Sequence, residues 1–334
     1  MATMKDVARK ANVSVTTVSA TLSGVKPVSP ELKRRVLAAI DELGYFRNSI
    51  ASGLKSGRTS LIGLIVPDIT NPFFTEFVER VQSHAIEHGQ TCLLGISDAD
   101  VSREKTLLRH MRSDQVAGTI LCPTGAARDY LNLKNDCGPM KLVVANNAHP
   151  DMAFDTVMLD NFQAAATATK HILSFGHTHV ATITGPQLQK PAQQRLRGFL
   201  ETMETAGHSV PDSYVEHGDF REQTGFVSGK RLLALQDRPT AIFVANNQML
   251  IGLMRAIAAE ELDVPQQISV VSIDDFSWAA AFRPALTVVR QPIEAMAETA
   301  FATLQKRITG AASAAHHAVF QPDLVIRRSC ARII

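Results

Sequence analysis

Thr3-Met4-Lys5-Asp6-Val7-Ala8-Arg9-Lys10-Ala11-Asn12-Val13-Ser14-Val15-Thr16-Thr17-Val18-Ser19-Ala20-Thr21-Leu22-Ser23-Gly24 stands at the head of the chain, and its spacing decides what the first module is. A threonine followed three positions later by an aspartate is a helix-capping box, because each side chain can satisfy a free backbone N–H of the first turn. Val7, Ala8 and Ala11 give that short helix one apolar side. Asn12-Val13-Ser14 interrupts it, and Ser14 can cap a second helix expected over 15–22, stopped by Ser23-Gly24. Two short helices joined by a tight turn make a helix-turn-helix. A third helix is expected over 30–43, with Leu32, Val36, Ala39, Ile40 and Leu43 on one face, Lys33, Arg34 and Arg35 near the other, and Gly44 at its end.

Charge sets this module apart from the rest. The first 60 residues carry 10 Lys+Arg and 4 Asp+Glu, a balance of +6, and the remaining residues carry 24 and 28, a balance of −4. A basic head on a mildly acidic body points to an anionic polymer bound at one end, although a solvated basic surface would have the same composition. At 334 residues, with 45% hydrophobic and 20% charged residues, the chain is long enough for two or three buried domains and has no disordered bias. Cys92, Cys122, Cys137 and Cys330 stand alone and read as reduced thiols. Neither an apolar leader after Met1 nor a run of the roughly 18 residues that a membrane helix needs is found, so a cytoplasmic protein without membrane association is expected.

Lys5-Asp6-Val7-Ala8, Val13-Ser14, Thr17-Val18-Ser19, Val28-Ser29, Leu43-Gly44-Tyr45 and Asn48 together resemble the head of the lactose and purine repressor (LacI/GalR) family of bacterial transcription regulators. The resemblance implies that the second helix lies in the major groove of operator DNA, with Val15, Thr16 and Ala20 at base-reading positions and Ser14, Thr17 and Ser19 on phosphates. Thr3 and Ser29 join this DNA-contacting set. Val15 can pack on a thymine methyl and Thr16 can form one hydrogen bond, but none of the three can make a bidentate base contact; Val15 and Ala20 could equally be packing residues. Residues 48–54, Asn-Ser-Ile-Ala-Ser-Gly-Leu, resemble the family's hinge helix. There Asn48 joins the DNA-contacting residues, Ala51 lets the paired hinges approach, and Leu54 matches the leucine that wedges between base pairs and kinks the duplex. Read without the family, Leu54 is an apolar linker residue. Arg47 stands where the family usually has proline and Ser52 where it often has arginine; with Gly53, these changes make the hinge helix harder to order.

From Leu61 the pattern alternates between buried strands (61–66, 91–96, 118–122, 142–145, 180–183, 241–244, 268–273) and amphipathic helices (73–88, 103–112, 161–175, 193–206, 223–235, 248–259). Such alternation argues for parallel sheets covered by helices, and its length for two doubly wound lobes. The markers Asn71-Pro72-Phe73-Phe74, Leu159-Asp160-Asn161, Gly176-His177, Arg195-Leu196-Arg197-Gly198-Phe199, Gly218-Asp219-Phe220, Asn246-Asn247-Gln248-Met249, Ser272-Ile273-Asp274-Asp275, Pro284-Ala285-Leu286-Thr287 and Gln291-Pro292 extend the resemblance over essentially the whole chain. They are similar to the family's effector domain, a fold shared with periplasmic sugar-binding proteins. The expected architecture is an all-α helix-turn-helix head over 1–46, a hinge and linker over 47–60, and an α/β body over 61–334. The body is expected to be two doubly wound parallel-sheet lobes of the periplasmic-binding-protein type, which bind an effector and dimerise.

In such folds the ligand sits between lobes at the carboxyl ends of the strands. Asn71, Asn146, Arg195, Asn246 and Asp274 would offer donors and acceptors suited to hydroxyls or a carboxylate, and Phe73, Phe74 and Phe220 flat apolar walls. Trp278 could stack on a sugar face, with ordinary packing the plainer reading. Gln189-Lys190-Pro191 departs from the purine-sensing pattern, and Asn247 replaces the usual aspartate. A sugar or sugar acid is therefore the expected effector, with a nucleobase or nucleoside as the alternative.

Rival classes find little support. Gly225-Phe-Val-Ser-Gly-Lys230 is one residue short of a phosphate-binding P-loop, and neither GxSxG, HExxH nor GxGxxG occurs, so no catalytic residue, enzyme activity or cofactor is expected. His177, His179, His316 and His317 read as surface or hydrogen-bonded histidines rather than metal ligands. A periplasmic ligand-binding protein would fit the body alone, against the basic head. The chain end lacks leucine heptads, so a homodimer is expected.

Overall fold

The computed structural model describes residues 2–23, 27–45, 59–130, 132–148, 154–311 and 314–332. The chain divides into two compact units, 1–59 and 60–334. The expected hinge residues Asn48, Ala51 and Leu54, with Arg47 and Ser52, lie outside the described residues.

In the first unit, helices α1 (Met4–Ala11), α2 (Val15–Ser23) and α3 (Pro30–Leu43) follow the expected capping chemistry. The Thr3 side chain accepts from the Asp6 backbone while the Asp6 carboxylate accepts from the Thr3 backbone. Ser29 caps α3, and Gly44 ends it in the left-handed region at φ 54°, where the absence of a Cβ removes the steric penalty. Val7, Ala8, Ala11, Val18, Val36 and Ala39 form one buried core. Arg35 is exposed on the polar face of α3, as expected, and also makes a tertiary contact. Its Nη2 donates to the carbonyls of Ala11 (2.6 Å) and Asn12 (3.1 Å), so the cation sits on the free carbonyl end of α1, where both the hydrogen bonds and the helix dipole favour it.

The second unit holds two six-stranded sheets. The first contains β1 (Leu61–Val66), β2 (Thr91–Ile96), β3 (Gly118–Leu121), β4 (Lys141–Ala145), β5 (Asp155–Leu159) and, late in the chain, β11 (His317–Phe320), in the order β11-β5-β4-β3-β1-β2. All its pairings are parallel. The second contains β6 (Val180–Thr184), β7 (Val215–His217), β8 (Ala241–Val244), β9 (Ser269–Ile273), β10 (Thr287–Arg290) and β12 (Asp323–Val325), in the order β12-β10-β9-β8-β6-β7. It is parallel except for β12, which runs antiparallel to β10.

Strand alternation feeds a core on each face of each sheet. In the first lobe, Ile62, Leu64 and Val66 pack with Phe73, Phe77 and Val81 of α4 (Pro72–Glu87) and with Met296, Ala300 and Leu304 of α11 (Ile293–Thr309). Ile65 faces the other way, onto Leu108 and Met111 of α5 (Val101–Ser113) and Leu133 of α6 (Leu133–Cys137). In the second lobe, Ile183, Ile242 and Val270 meet α9 (Glu222–Leu233) and α10 (Asn247–Ala259), while Phe243, Val271 and Ile273 meet α7 (Asn161–Leu173) and α8 (Lys190–Thr205). Faces covered on both sides explain why these strands read as continuous apolar runs.

The chain passes between lobes three times: from β5 into α7, from β10 into α11, and from β11 into β12. Strands β5, β7, β10, β11 and β12 and helix α11 were not among the expected elements. The strands are three to five residues long, and each carries a charged residue or histidine (Asp155, Glu216, Arg290, His317, Asp323) that breaks the apolar run by which the other short strands were legible. The spacing of Ile293, Met296, Ala300 and Leu304 was readable as a helix.

Helices α9 and α10 approach so closely that a Cβ on Gly225 would lie 2.2 Å from the Met249 carbonyl oxygen and 2.5 Å from its Cα. Backbone cannot give way as a side chain can. Gly225→Ala is expected to lower unfolding free energy by about 3 kcal/mol, at the upper end of the range for overpacking, measured by urea denaturation of the full chain.

Candidate functional site

Nearly every loop that leaves a strand at its carboxyl end contributes to one cleft between the two lobes. Its lining includes Asp68, Asn71, Phe73 and Phe74 after β1, Ala99 after β2, Thr124 after β3 and Asn146 after β4. From the second lobe come Gln189, Arg195, Phe220, Arg221, Asn246 and Asp274, with Gln291 on the crossing after β10. The cavity it encloses has a volume of about 90 Å³. All eight expected cleft residues (Asn71, Phe73, Phe74, Asn146, Arg195, Phe220, Asn246 and Asp274) line it.

Their local roles differ. Asn71 caps α4, its Oδ1 accepting from the Phe73 backbone at 3.0 Å. Asn246 caps α10 through Met249 N (3.0 Å), and its Nδ2 donates to the Phe220 carbonyl (2.9 Å). Both asparagines thus commit part of their hydrogen-bonding capacity to building the wall. Phe73 and Phe74 meet edge to face at 5.0 Å, a favoured aromatic geometry, and both belong to the first-lobe core.

Arg195 and Asp274 carry the electrostatics. Arg195 is 4% exposed; its Nε donates to Asn161 Oδ1 (2.8 Å) and its Nη1 to the Ala245 carbonyl (2.6 Å). Its guanidinium also lies 5.7 Å from the Phe220 ring centroid, within cation–π range. Asp274, also 4% exposed, accepts from Gln291 Nε2 at 2.5 Å. Burial pushes the Asp274 carboxyl above the usual carboxylate range, opposed by the Arg195 charge and by hydrogen bonds from Gln291 and the Asn247 backbone. Burial likewise lowers Arg195, opposed by Asp274; a guanidinium nevertheless stays charged in a protein. Among the described residues neither group forms a direct ion pair, so two opposite buried charges feel each other across a gap.

Asn146 (φ 67°), Phe220 (φ 67°) and Asp274 (φ 75°) each follow a strand in the left-handed backbone region. Such conformations cost on the order of 1–3 kcal/mol each and persist where the surroundings over-determine them. Four contacts close the lobes around the cleft: Gln189 Nε2 to the Thr124 carbonyl (2.9 Å), Lys190 N to Asn147 Oδ1 (3.2 Å), Gln248 Nε2 to the Thr70 carbonyl (3.0 Å), and Arg221 Nη2 to Asp98 (3.2 Å).

Sequence reasoning did not place Thr124, Arg221 or Gln291 in the cleft, and it weighed Gln189 only for the type of effector. Their signal is position at a strand end, and Gln291 follows a strand that was itself missed. Trp278 is not among the cleft-lining residues; it is 47% exposed and meets Phe276 edge-on at 5.1 Å. His177 is buried and satisfied by Thr240 Oγ1 (2.9 Å), Ser269 Oγ (3.0 Å) and the Ala331 carbonyl (3.0 Å).

In the head, Val18 is fully buried and turns the opposite side of α2 outward. Val15 (41% exposed), Thr16 and Ser19 are exposed, and Thr17 and Ala20 are half-buried. Ser14 Oγ accepts from Thr17 N (3.1 Å) and bonds the Thr17 hydroxyl (2.9 Å), which caps the helix. Thr3 and Ser29 are likewise the caps of α1 and α3.

A family model for bacterial regulatory proteins of the lacI family matches residues 3–48, and one for a periplasmic binding protein-like domain matches residues 169–330. The HTH-type transcriptional repressor PurR of Klebsiella pneumoniae subsp. pneumoniae is 33% identical over 332 residues, covering 99% of this chain and 97% of that protein. The chain belongs to the lacI family. The ribose operon repressor of Escherichia coli K12 is 35% identical over 309 residues, 92% of this chain and 94% of that one. The Lac repressor dimer bound to operator and the anti-inducer ONPF matches with a TM-score of 0.89 at 25% identity, covering 99% of each chain. This lacI-family chain is therefore a DNA-binding transcriptional regulator with an effector-binding body of two parallel-sheet lobes. Among the described residues no helix is long and apolar enough to cross a membrane.

A Cβ on Gly185 would lie 2.2 Å from the tip of the Phe220 ring. A ring can swing where backbone cannot. Gly185→Ala is expected to reduce affinity for any ligand the wild-type cleft binds by about tenfold, equivalent to about 1.4 kcal/mol, while moving stability less than Gly225→Ala does; calorimetric titration and urea unfolding check the two halves.

Proposed function

We propose that this regulator grips operator DNA as a homodimer through α2 and the 47–60 hinge, and that the cleft holds a hydroxylated small molecule, a sugar or sugar acid, as its effector. The observation that carries the effector reading is the pair Arg195 and Asp274, buried opposite charges with no ion pair between them. A hydroxyl both donates and accepts, so one polyol can receive from the guanidinium and donate to the carboxylate, while the phenylalanines cover its apolar face. Without such a ligand both charges are incompletely compensated.

On the DNA, Val15, Thr16 and Ala20 are proposed to face bases, and Ser14, Thr17 and Ser19 phosphates, with Thr3 and Ser29 close to the backbone. The exposure of Val15, Thr16 and Ser19 above a buried Val18 supports this. Asn48, Ala51 and Leu54 are proposed to act in the minor groove, with Leu54 as the wedge. Effector and operator affinities are coupled through lobe closure, and reciprocally so. The protein binds its effector without transforming it and needs no cofactor.

A second reading, a nucleobase effector, is favoured by the match to the purine repressor over 99% of this chain. Isothermal titration of the full chain with D-ribose, D-glucose, D-gluconate, hypoxanthine and guanine decides between them. Binding of a sugar or sugar acid, lost at least 100-fold in Arg195→Ala, is expected; saturable binding of a purine alone would overturn the sugar reading. In Leu54→Ala, operator bending measured by energy transfer is expected to disappear, and binding to weaken by roughly tenfold or more, in line with the unstacking and contacts a wedge makes possible.

A further inference from the structure

Behind the cleft wall, α5 buries Glu104 completely. Its Oε2 accepts from Thr124 N (3.0 Å) and the Thr124 hydroxyl (3.1 Å). Tyr130 also bonds this carboxyl, and its hydroxyl oxygen in turn accepts from Thr124 N (2.9 Å) and Gly125 N (2.7 Å). The other oxygen, Oε1, is buried with no hydrogen-bond partner. Among the described residues no cation pairs with Glu104. Its titratable and charged neighbours are the Tyr130 phenol from the turn at Ala127–Tyr130, the Cys122 thiol just after β3, and Lys105 on its own helix, which acts only through space.

The segment anchored in this way is part of the cleft. Pro123 and Thr124 line it. The Thr124 carbonyl receives Gln189 from the second lobe, and the Pro123 and Gly125 carbonyls receive Asn147, whose Oδ1 accepts from Lys190 of the second lobe. Two of the four contacts that close the lobes therefore rest on backbone that Glu104 holds.

We propose that Glu104 is a proton-responsive positioning residue: its neutral form keeps the Thr124 wall of the cleft ordered, and its ionisation loosens that wall and weakens lobe closure. The physical reason is a buried carboxylate with one orphan oxygen and no countercharge, which any opening toward water relieves. A proton neutralises that orphan oxygen and leaves Oε2 free to accept. Burial, partly offset by the bonds from Tyr130 and Thr124, pushes the Glu104 carboxyl up to about 7, whereas burial drives Tyr130 and Cys122 far above the physiological range. The sign follows from linkage. A carboxyl whose pKa is raised in the ordered state and normal when open stabilises the ordered state below its open-state value, and this stabilisation is lost as pH rises toward 7. Effector binding that depends on an ordered wall then weakens over the same interval.

The proposal rests on reading the cleft as the effector site, but its test needs no effector, so its failure is separable from failure of the sugar reading. Amide hydrogen exchange of the full chain, corrected for the intrinsic rate, is followed at Thr124 and Gly125 from pH 5.5 to 8. Full solvation of Glu104 on opening predicts a rise of up to about 30-fold in the opening equilibrium, levelling off above pH 8. Glu104→Gln, a neutral near-isostere, is expected to vary less than twofold. A wild-type rise below twofold, or the same rise in both proteins, overturns the proposal. Selective ¹³C labelling of glutamate gives a second reading that needs no folded variant: a Glu104 midpoint near 7 supports the proposal, and one near the ordinary value of about 4.3 overturns it.

Discussion

Parallel pairing is the constraint on which the body depends. All six strands of the first sheet and five of the second share one direction within their sheet, so their carboxyl ends gather along one edge, and every loop leaving that edge is a candidate wall. Because the chain passes between sheets at β5–α7, β10–α11 and β11–β12, those edges become the two sides of one cleft. Side chains far apart in sequence, Asn71 and Asp274 for example, share it for no local reason. Backbone held in the left-handed region at Asn146, Phe220 and Asp274 is the local cost of turning the chain sharply at those edges.

The cleft is electrostatically unfinished. Arg195 and Asp274 are each braced by neutral groups, Asn161 and Ala245 on one side and Gln291 on the other, instead of by each other. Braced charges cannot collapse together, which keeps both available to a third party and limits reorganisation on binding. Gln291 sits on a lobe crossing, so the residue that orients Asp274 is also on a segment that must bend if the lobes move. Glu104 sits one layer further back and acts on backbone, whereas Arg195 and Asp274 face the space itself.

The head is built on different physics. Three caps, Thr3, Ser14 and Ser29, together with Arg35 on the end of α1, satisfy the free ends of short helices around a core of six buried residues among those described. What α2 leaves exposed is small and without long polar side chains. Discrimination among operators is then weighted toward DNA deformability and the hinge rather than bidentate base contacts.

Caps, helix periods and apolar runs are local, so the sequence alone determined the helix-turn-helix and the alternation of strands and helices, and its markers name seven of the eight cleft side chains, all but Asn146. Short strands such as β7, β10 and β12 contain a charged residue that interrupts the apolar run and are defined by their neighbours in the sheet. Arg35 is surface charge, but its bonds to the end of α1 were not legible because nothing local shows a helix end arriving from 24 residues away. Glu104 looked like one more acid on an amphipathic helix; its burial beneath Thr124 and its orphan oxygen exist only because β3, the following turn and α5 converge there. Tertiary structure decided which charges were left without partners, since compensation of a buried charge depends on what the whole fold brings within reach.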